Sequence, residues 1–452
     1  MSELPQHLAS PATGANRAAV LADGEHYPQV IADVVAEFTN AGWDVAGVIV
    51  VGGSEKLRGD ADYGVPAISG DTALDAVVRG CRELAPDCVI DVSDEPVLVF
   101  EERARIIASV CDMGIDYYGA DSIVRAPTYE PVAVPSLAII GTGKRIGKTA
   151  ISAHVARLAD EALGGNGDVL VVAMGRGGPR EPIVINRAAG ALGVEQLLEI
   201  SRGGSHAASD YLEDAALTGL TTIGCRRAGG GLLGVPVRSN VSEGARLAES
   251  LEPRLAIFEG SGSCIPPVLA DCTVLLASTA RPRDLFGDFG RYRLLRSNLV
   301  LVVGDDRAAA ADMCTRVELL HPNLQAVAVS LVATPVEDVA GRSIAVFTTA
   351  PESIGPTLMR RFDALGADLQ LLSHSLASRD ELRRDVNRAV ERGVECFVVE
   401  IKAAGIDVVA EAAAGHGIDV VFLDNPPFPH DDSLDLDALL TQVCLDVAGT
   451  PV

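Results

Sequence analysis

The sequence predicts an α/β protein of mostly parallel sheet, and three observations predict it. At 452 residues the chain has room for about three domains of roughly 150 residues each. Short apolar runs alternate with amphipathic helical stretches, the pattern of parallel strands covered by helices on both faces. Hydrophobic residues make up 48% and charged residues 22%, enough for buried cores and no case for wholesale disorder.

The elements follow in order. The first ten to fifteen residues are polar and read as a loose tail. Ala18–Ala22 is a strand ending in Asp23-Gly24-Glu25-His26-Tyr27-Pro28, and Gln29 to Phe38 has a helical period. Val45–Val51 and Cys88–Val92 are further strands, and Pro127 to Pro135 reads as a linker. Next come Leu137–Ile140, Val169–Ala173, Leu255–Phe258, Val274–Leu276 and Leu299–Val303. Ile344–Thr348, Leu369–Leu372, Cys396–Ile401 and Val420–Leu423 form a last group, closed by Asn425-Pro426-Pro427-Phe428-Pro429. The expected domains are 1–131, 132–338 and 339–452, with no repeat of fixed period.

Leu137–Thr149 is the most informative segment. An apolar strand enters Gly141-Thr142-Gly143-Lys144-Arg145-Ile146-Gly147-Lys148-Thr149, and a helical pattern starts at Lys148. This is the setting of a P-loop: glycines turn backbone N–H groups around a β-phosphate, and the helix N-terminus adds its positive dipole end. All nine residues are expected to bind ATP. Lys148 reaches the β/γ-phosphates, and the Thr149 hydroxyl holds Mg²⁺. Thr142 stands where a glycine is usual, six residues before the lysine. The chain has only four lysines, and Lys144 and Lys148 both lie here, in a stretch without an acid between Pro131 and Ala159. The fold expected is therefore a central P-loop NTPase domain flanked by two smaller Rossmann-like α/β domains.

Three further segments suit a strongly anionic second substrate. Met174–Pro182 follows a strand, and its Arg176 and Arg180 offer forked donors to phosphate. Gly224–Gly231 carries Arg226 and Arg227 within an acid-free stretch from Ala215 to Ser242. The segment carrying Arg281, Arg283, Arg291, Arg293 and Arg296 reads equally well as a ligand contact or as a solvated surface. Ser205 and Ser209 compete to cap a helix, and His206 is a candidate phosphate contact or proton carrier.

The net charge of −25 repels nucleic acid and anionic membranes, and 4% aromatics disfavours base stacking. No apolar run approaches the roughly 20 residues of a membrane span, and no signal peptide is visible. Nine scattered cysteines without a C-x-x-C read as reduced thiols in a cytoplasmic protein.

The Gly-Thr-x4-Gly-Lys-Thr loop resembles that of dethiobiotin synthetase. In that likeness Glu259, at the end of Leu255-Ala256-Ile257-Phe258, joins Thr149 at Mg²⁺. Asp23–Pro28, Gly141–Thr149, Gly175-Arg176-Gly177-Gly178-Pro179, Ser209–Asp214, Cys225-Arg226-Arg227 and Val399–Ala404 together resemble the cyclic 2,3-diphosphoglycerate synthetase family over most of the chain. The resemblance implies an ATP-dependent ligase that joins the two phosphates of 2,3-diphosphoglycerate in an internal phosphoanhydride. Lys148, Lys144, Arg176, Arg180, Arg226, Arg227 and His206 would carry the chemistry. A homodimer is expected, and an activating monovalent cation would leave no readable motif. The Asp23–Pro28 turn would cover the site or serve a dimer interface. Glu400 and Lys402 are read first as a buried ion pair.

Two rivals stay open. One is a dethiobiotin-synthetase-like ligase that activates a carboxylate, against which the acid-free arginine segments argue. The other is a switch ATPase of the MinD/ParA type. That class carries a second lysine five residues before the P-loop lysine, where this chain has Gly143 and places Lys144 one residue late.

Overall fold

The structure, a computed structural model, describes residues 4–11, 16–53, 61–189, 192–204, 206–287 and 289–449. The chain is mixed α/β with mostly parallel sheets, gathered into two compact units. One comprises Met1–Tyr129 with Arg281–Arg296, the other Glu130–Ala280 with Ser297–Val452.

The first unit holds a six-stranded sheet ordered Ala67–Ile68, Asp44–Val50, Arg17–Ala22, Cys88–Asp91, Asp116–Tyr118, Ile123–Val124. All its pairings are parallel except the last. Residues 4–11 do not trail as a loose tail. Leu8 is buried in the core with Phe38, Trp43 and Tyr118, and its carbonyl accepts from Trp43 Nε1 at 2.9 Å. Burial of one leucine and one satisfied indole suffices to dock a short segment. The Asp23–Pro28 turn is tied to its own strand end. One Asp23 oxygen accepts from the amides of Glu25 and His26 and from His26 Nδ1, the other from the Asp94 amide.

The arginine-rich stretch after Arg281 belongs to this first unit, not to the P-loop. Helix Gly290–Leu295 packs on helix Phe100–Asp112. Arg291 Nε donates to Ser109 Oγ at 2.9 Å, and Arg296 lies 3.8 Å from Asp112. Arg291 and Arg296 serve packing within this unit.

The second unit is built on a ten-stranded sheet. Its path runs Ile183–Ile185, Thr221–Ala228, Val169–Gly175, Leu255–Glu259, Ser136–Gly141, Cys272–Ser278, Leu299–Val303, Gln325–Leu331, Pro427–Pro429, with Arg238–Ser239 pairing off the path. The two end strands are antiparallel and all inner pairings are parallel. Ser136–Gly141 lies near the middle and is buried throughout, as an uninterrupted apolar run requires. Five of these strands escape sequence reading, three of them only two or three residues long and the other two of full length. Thr221–Ala228 is broken in its pattern by Gly224 and two arginines, and Gln325–Leu331 by its alternating small residues.

A second sheet in this unit is ordered Thr334–Pro335, Asp419–Asp424, Cys396–Val399, Ser343–Phe347, Asp368–Ser373. One apolar core joins its Phe347, Phe397 and Val399 to Leu197, Leu198, Tyr211 and Leu212 of the P-loop region. The end of the chain, expected within 339–452, returns to the first sheet. Pro427–Pro429 pairs with Gln325–Leu331 at an edge, where a strand proline is tolerated. Leu436, Leu440 and Cys444 of the last helix, Leu436–Ala448, share a core with Ile151 and Val155 of the P-loop helix. The Pro127–Pro135 stretch also pairs, through Glu130–Pro131 with Val268–Leu269.

Candidate active site

Strand Ser136–Gly141 delivers the chain into the glycine-rich loop, and helix Lys148–Ala162 begins at its far side. Gly147 caps that helix at φ 86°, a conformation that favours glycine, and Leu331 leaves no room there for a Cβ. The first-turn N–H groups of the helix have no intrahelical partners, which together with the dipole makes an anion seat. Lys148 is buried and donates to the Gly143 carbonyl at 2.6 Å. Burial lowers its pKa, against the pull of Glu259 and Asp210. Thr142 is buried, and its amide donates to the Leu276 carbonyl at 3.0 Å.

Thr149 Oγ1 donates to Glu259 Oε1 at 2.8 Å. The contact forms because Leu255–Glu259 is the neighbouring parallel strand, so its last residue ends on the same sheet edge as the loop. Glu259 is 2% exposed, and among the described residues no N–H or alcohol hydroxyl reaches its Oε2, against which the carboxyl of Asp214 lies. A hydroxyl beside a buried carboxylate is a donor pair that fits a hard divalent cation. Burial is the main force raising the Glu259 pKa, with the charge of Asp210 next.

Sequence reading gave no role to three acids that the structure brings here. Asp210, Glu213 and Asp214 lie three and four apart on helix Asp210–Thr218 and so share one face. Asp210 Oδ2 lies 3.3 Å from where a Cβ on Gly175 would sit. Asp214 is fully buried and its carboxyl meets that of Glu259, so its pKa is raised well above the carboxylate range by burial and by that charge. Glu213 is pushed up by burial, opposed by Lys402 at 3.2 Å. The readable signal was the spacing of these acids immediately before the acid-free stretch.

On the outer side of the loop, cations crowd together. Gly262 has φ +60°, and a Cβ there would sit 2.9 Å from Arg176 Nη2, 3.1 Å from Arg227 Nη2 and 3.7 Å from Lys144 Cγ. The Arg176 charge, before any other cause, lowers the Lys144 pKa. Arg227 donates to the Gly229 carbonyl at 2.7 Å and the Ser261 carbonyl at 2.8 Å, while its buried Nε has no acceptor. Like charges held this close make a strong seat for a polyanion.

The other expected residues are placed differently. Arg226 sits beside Gly175 in the strand register. It shares the face of Gly224, against which Tyr211 packs, while Arg227 takes the opposite face. Asn240 accepts from the Arg226 amide at 2.7 Å and donates to the carbonyls of Pro179 and Arg180. Arg180 is exposed. His206 is exposed and lies over Gly177, in a cleft of about 280 Å³ that Ala207, Ala403 and Asp407 also line. Ser209 occupies the N-cap, but its hydroxyl donates to the carbonyls of Gly177 and His206 and caps nothing. Ser205 lies outside the described residues. Lys402 pairs with Glu213 across the shared core, whereas Glu400 accepts from the hydroxyls of Thr348 and Thr349 and the Thr349 amide.

Comparison with known proteins bears directly on this arrangement. Residues 136–330 match the family model described as cyclic 2,3-diphosphoglycerate synthetase, P-loop domain. Residues 335–426 match the C-terminal domain of that synthetase, and residues 17–124 its N-terminal domain. A cyclic 2,3-diphosphoglycerate synthetase of Rubrobacter xylanophilus is 39% identical over 420 residues, 91% of this chain and 94% of that one. Relatives of the same name from Thermococcus onnurineus and Methanothermus fervidus are 38% and 35% identical, covering 90% and 91% of this chain and 94% and 93% of theirs.

Proposed function

This chain belongs to the cyclic 2,3-diphosphoglycerate synthetase family, and on that premise we propose how its residues divide the reaction. It is an ATP-dependent ligase that forms the internal phosphoanhydride of cyclic 2,3-diphosphoglycerate from 2,3-diphosphoglycerate, releasing ADP and phosphate.

The observation that carries the division of labour is that two groups gather at the same loop: Lys148 with the Thr149–Glu259 pair, and Lys144, Arg176 and Arg227 around Gly262, the two arginines close enough for their charges to act on Lys148. ATP occupies Gly141–Thr149 with its β/γ-phosphates at Lys148 and the helix N-terminus. Thr149 and Glu259 would hold Mg²⁺, which supplies charge neutralisation at the polyphosphate. The second substrate carries two phosphates and a carboxylate, so it repels ATP, and the cation cluster offsets that repulsion.

The chemistry then has two displacements. One substrate phosphate attacks the γ-phosphorus in line, and the bond to the ADP oxygen breaks. The other substrate phosphate attacks the activated phosphate, closes the ring and expels inorganic phosphate. Phosphate is already a good nucleophile, so positioning is the main task. Lys144, Arg176 and Arg227 hold the substrate, with Arg180 and Arg226 supporting it from the adjoining loop and strand. His206 contacts a phosphate at the Gly177 turn or carries a proton there.

The domain limits 1–131, 132–338 and 339–452, with Rossmann-like flanks, a homodimer and a cytoplasmic setting complete the reading. The reduced state of all nine thiols is consistent with that compartment. Among the described residues no helix is long and apolar enough to cross a membrane.

Phosphorus NMR of the purified protein with Mg-ATP and 2,3-diphosphoglycerate tests the reading. Two monoester signals replaced by coupled phosphoanhydride signals, with ADP and phosphate in step, are expected. Unchanged 2,3-diphosphoglycerate would sink it, and turnover with a carboxylate instead would favour the dethiobiotin-synthetase-like rival.

A further inference from the structure

We infer that Lys402, carried by the C-terminal segment, is a substrate-binding cation of the ligase site, held in place by Glu213 and directed at a phosphate of 2,3-diphosphoglycerate. The inference deepens the ligase reading and rests on it.

Lysine is rare in this chain: four against 33 arginines among 37 basic residues. Two of the four, Lys144 and Lys148, lie in the P-loop. A third, Lys402, reaches the acid helix beside that loop, with Nζ 3.2 Å from Glu213 Oε1. Its side chain is 32% exposed, while that of Glu213 is 6% exposed. The ammonium has three donors, and this is its one ion pair among the described residues. The next residue, Ala403, lines the same cleft as His206. Glu400 and Asp210 also act on the ammonium, yet a cation anchored by Glu213 on a partly exposed side chain is suited to an anionic ligand.

The backbone around Lys402 is held firmly, with Glu400, Ile401 and Ala404 all buried. Glu400 takes three hydrogen bonds, from Thr348 Oγ1, Thr349 N and Thr349 Oγ1. The Lys402 amide donates to the Glu400 carbonyl at 2.8 Å. Ala403 adopts φ 49°, a left-handed conformation that a non-glycine residue holds only under outside constraint. Gly405 folds back so closely that a Cβ there would lie 2.3 Å from the Glu400 carbonyl oxygen. Ile401 and Ala404 pack in the apolar core on either side, so the turn between them is fixed while the Lys402 side chain stays partly exposed. Such a turn presents one ammonium at a fixed point.

The test is equilibrium binding and steady-state kinetics on the full chain with Lys402→Met, Lys402→Arg and Glu213→Gln. Lys402→Met is expected to weaken 2,3-diphosphoglycerate binding by about 10- to 100-fold, the loss of one charged hydrogen bond, with Mg-ATP affinity unchanged. Lys402→Arg is expected to recover part of that loss. Wild-type affinity and KM for 2,3-diphosphoglycerate in Lys402→Met, whatever its melting temperature, would show a structural ion pair and overturn the inference. Should Lys402→Met fail to fold, Glu213→Gln decides, because it weakens the anchor and keeps the cation. A raised KM for 2,3-diphosphoglycerate upholds the inference, and an unchanged one overturns it. A wild-type protein that neither binds nor converts 2,3-diphosphoglycerate would sink the ligase reading itself. Wild-type turnover with indifferent Lys402 variants sinks only this step.

Discussion

The hydroxyl of Thr149, in the first turn of the P-loop helix, donates at 2.8 Å to Glu259 at the end of the neighbouring strand. The bond spans 110 residues of sequence, and the carboxyl of Asp214 lies against the same buried carboxylate. The bond joins the phosphate seat to the carboxylate that would share its cation.

Replacing Glu259 by glutamine keeps the shape and an acceptor for Thr149 but removes the charge. Turnover is expected to fall about 100-fold or more, as when one electrostatic element of a phosphoryl-transfer site is lost. Thermal stability should not fall, because Glu259 is fully buried beside the acids Asp214 and Asp210 and its neutral isostere carries less desolvation cost and repulsion. Kinetics and a melting curve on the same preparation check both halves, and full activity in Glu259→Gln would remove this residue from the site.

The arginines should separate. Arg227→Ala and Arg176→Ala take a cation from the cluster around Gly262 and should raise the KM for 2,3-diphosphoglycerate by about 10-fold or more. Arg180 is exposed, and only its carbonyl is held, by Asn240. Arg180→Ala should therefore do less. Equal effects from all three would mean that Arg180 moves into the cluster when substrate binds.

Gly262→Ala should damage binding without touching any charge. The position has φ +60°, and the new methyl would meet two guanidinium groups at 2.9 and 3.1 Å. About 1 kcal/mol of stability should be lost to the left-handed backbone, and KM for the anionic substrate should rise as the cations are pushed apart. A variant with lowered stability and unchanged KM would show that the cluster tolerates the shift.

Burial pushes the thiols of Cys81, Cys88, Cys111, Cys225 and Cys444 up to about 12 from an ordinary value of 9.0. Between these two values the unfolded chain has released thiol protons that the folded chain retains. Stability contributed by these groups is thus intact below pH 9 and is lost as pH rises from about 9 toward 12. Urea midpoints at pH 8 and pH 10 should show the fall. A thiol reagent at pH 8 should modify these five only after unfolding, and prompt labelling of the native protein would contradict their burial.

Much of the frame could be read from residues. Leu137–Thr149 declares strand, loop and helix because glycine freedom, an apolar run and Gly-Lys-Thr are local properties. Glu259 was legible for a similar reason: an apolar strand ending in an acid and glycines places that acid at the sheet edge. Thr221–Ala228 was not legible as a strand, since Gly224 exists to admit Tyr211, a partner with no signature in its own neighbourhood. The split of Arg226 from Arg227 follows from that strand, because alternate residues face opposite sides.

The phosphate loop, the Thr149 hydroxyl at its end, the carboxylate closing the strand Leu255–Glu259 and the excess of cations in the nearby segments are all encoded within a few residues of chain. Only the tertiary structure decided which charges meet. It drew Arg281–Arg296 into the first unit, gathered Lys144, Arg176 and Arg227 over Gly262, and turned the face of helix Asp210–Thr218 toward Lys148 and Lys402. It also returned Pro427–Pro429 to the P-loop sheet. The physical reason is that a charge acts through space and not along the chain, so its partner is set by how apolar faces pack: here by the core that joins Tyr211 and Leu212 to Phe347 and Phe397.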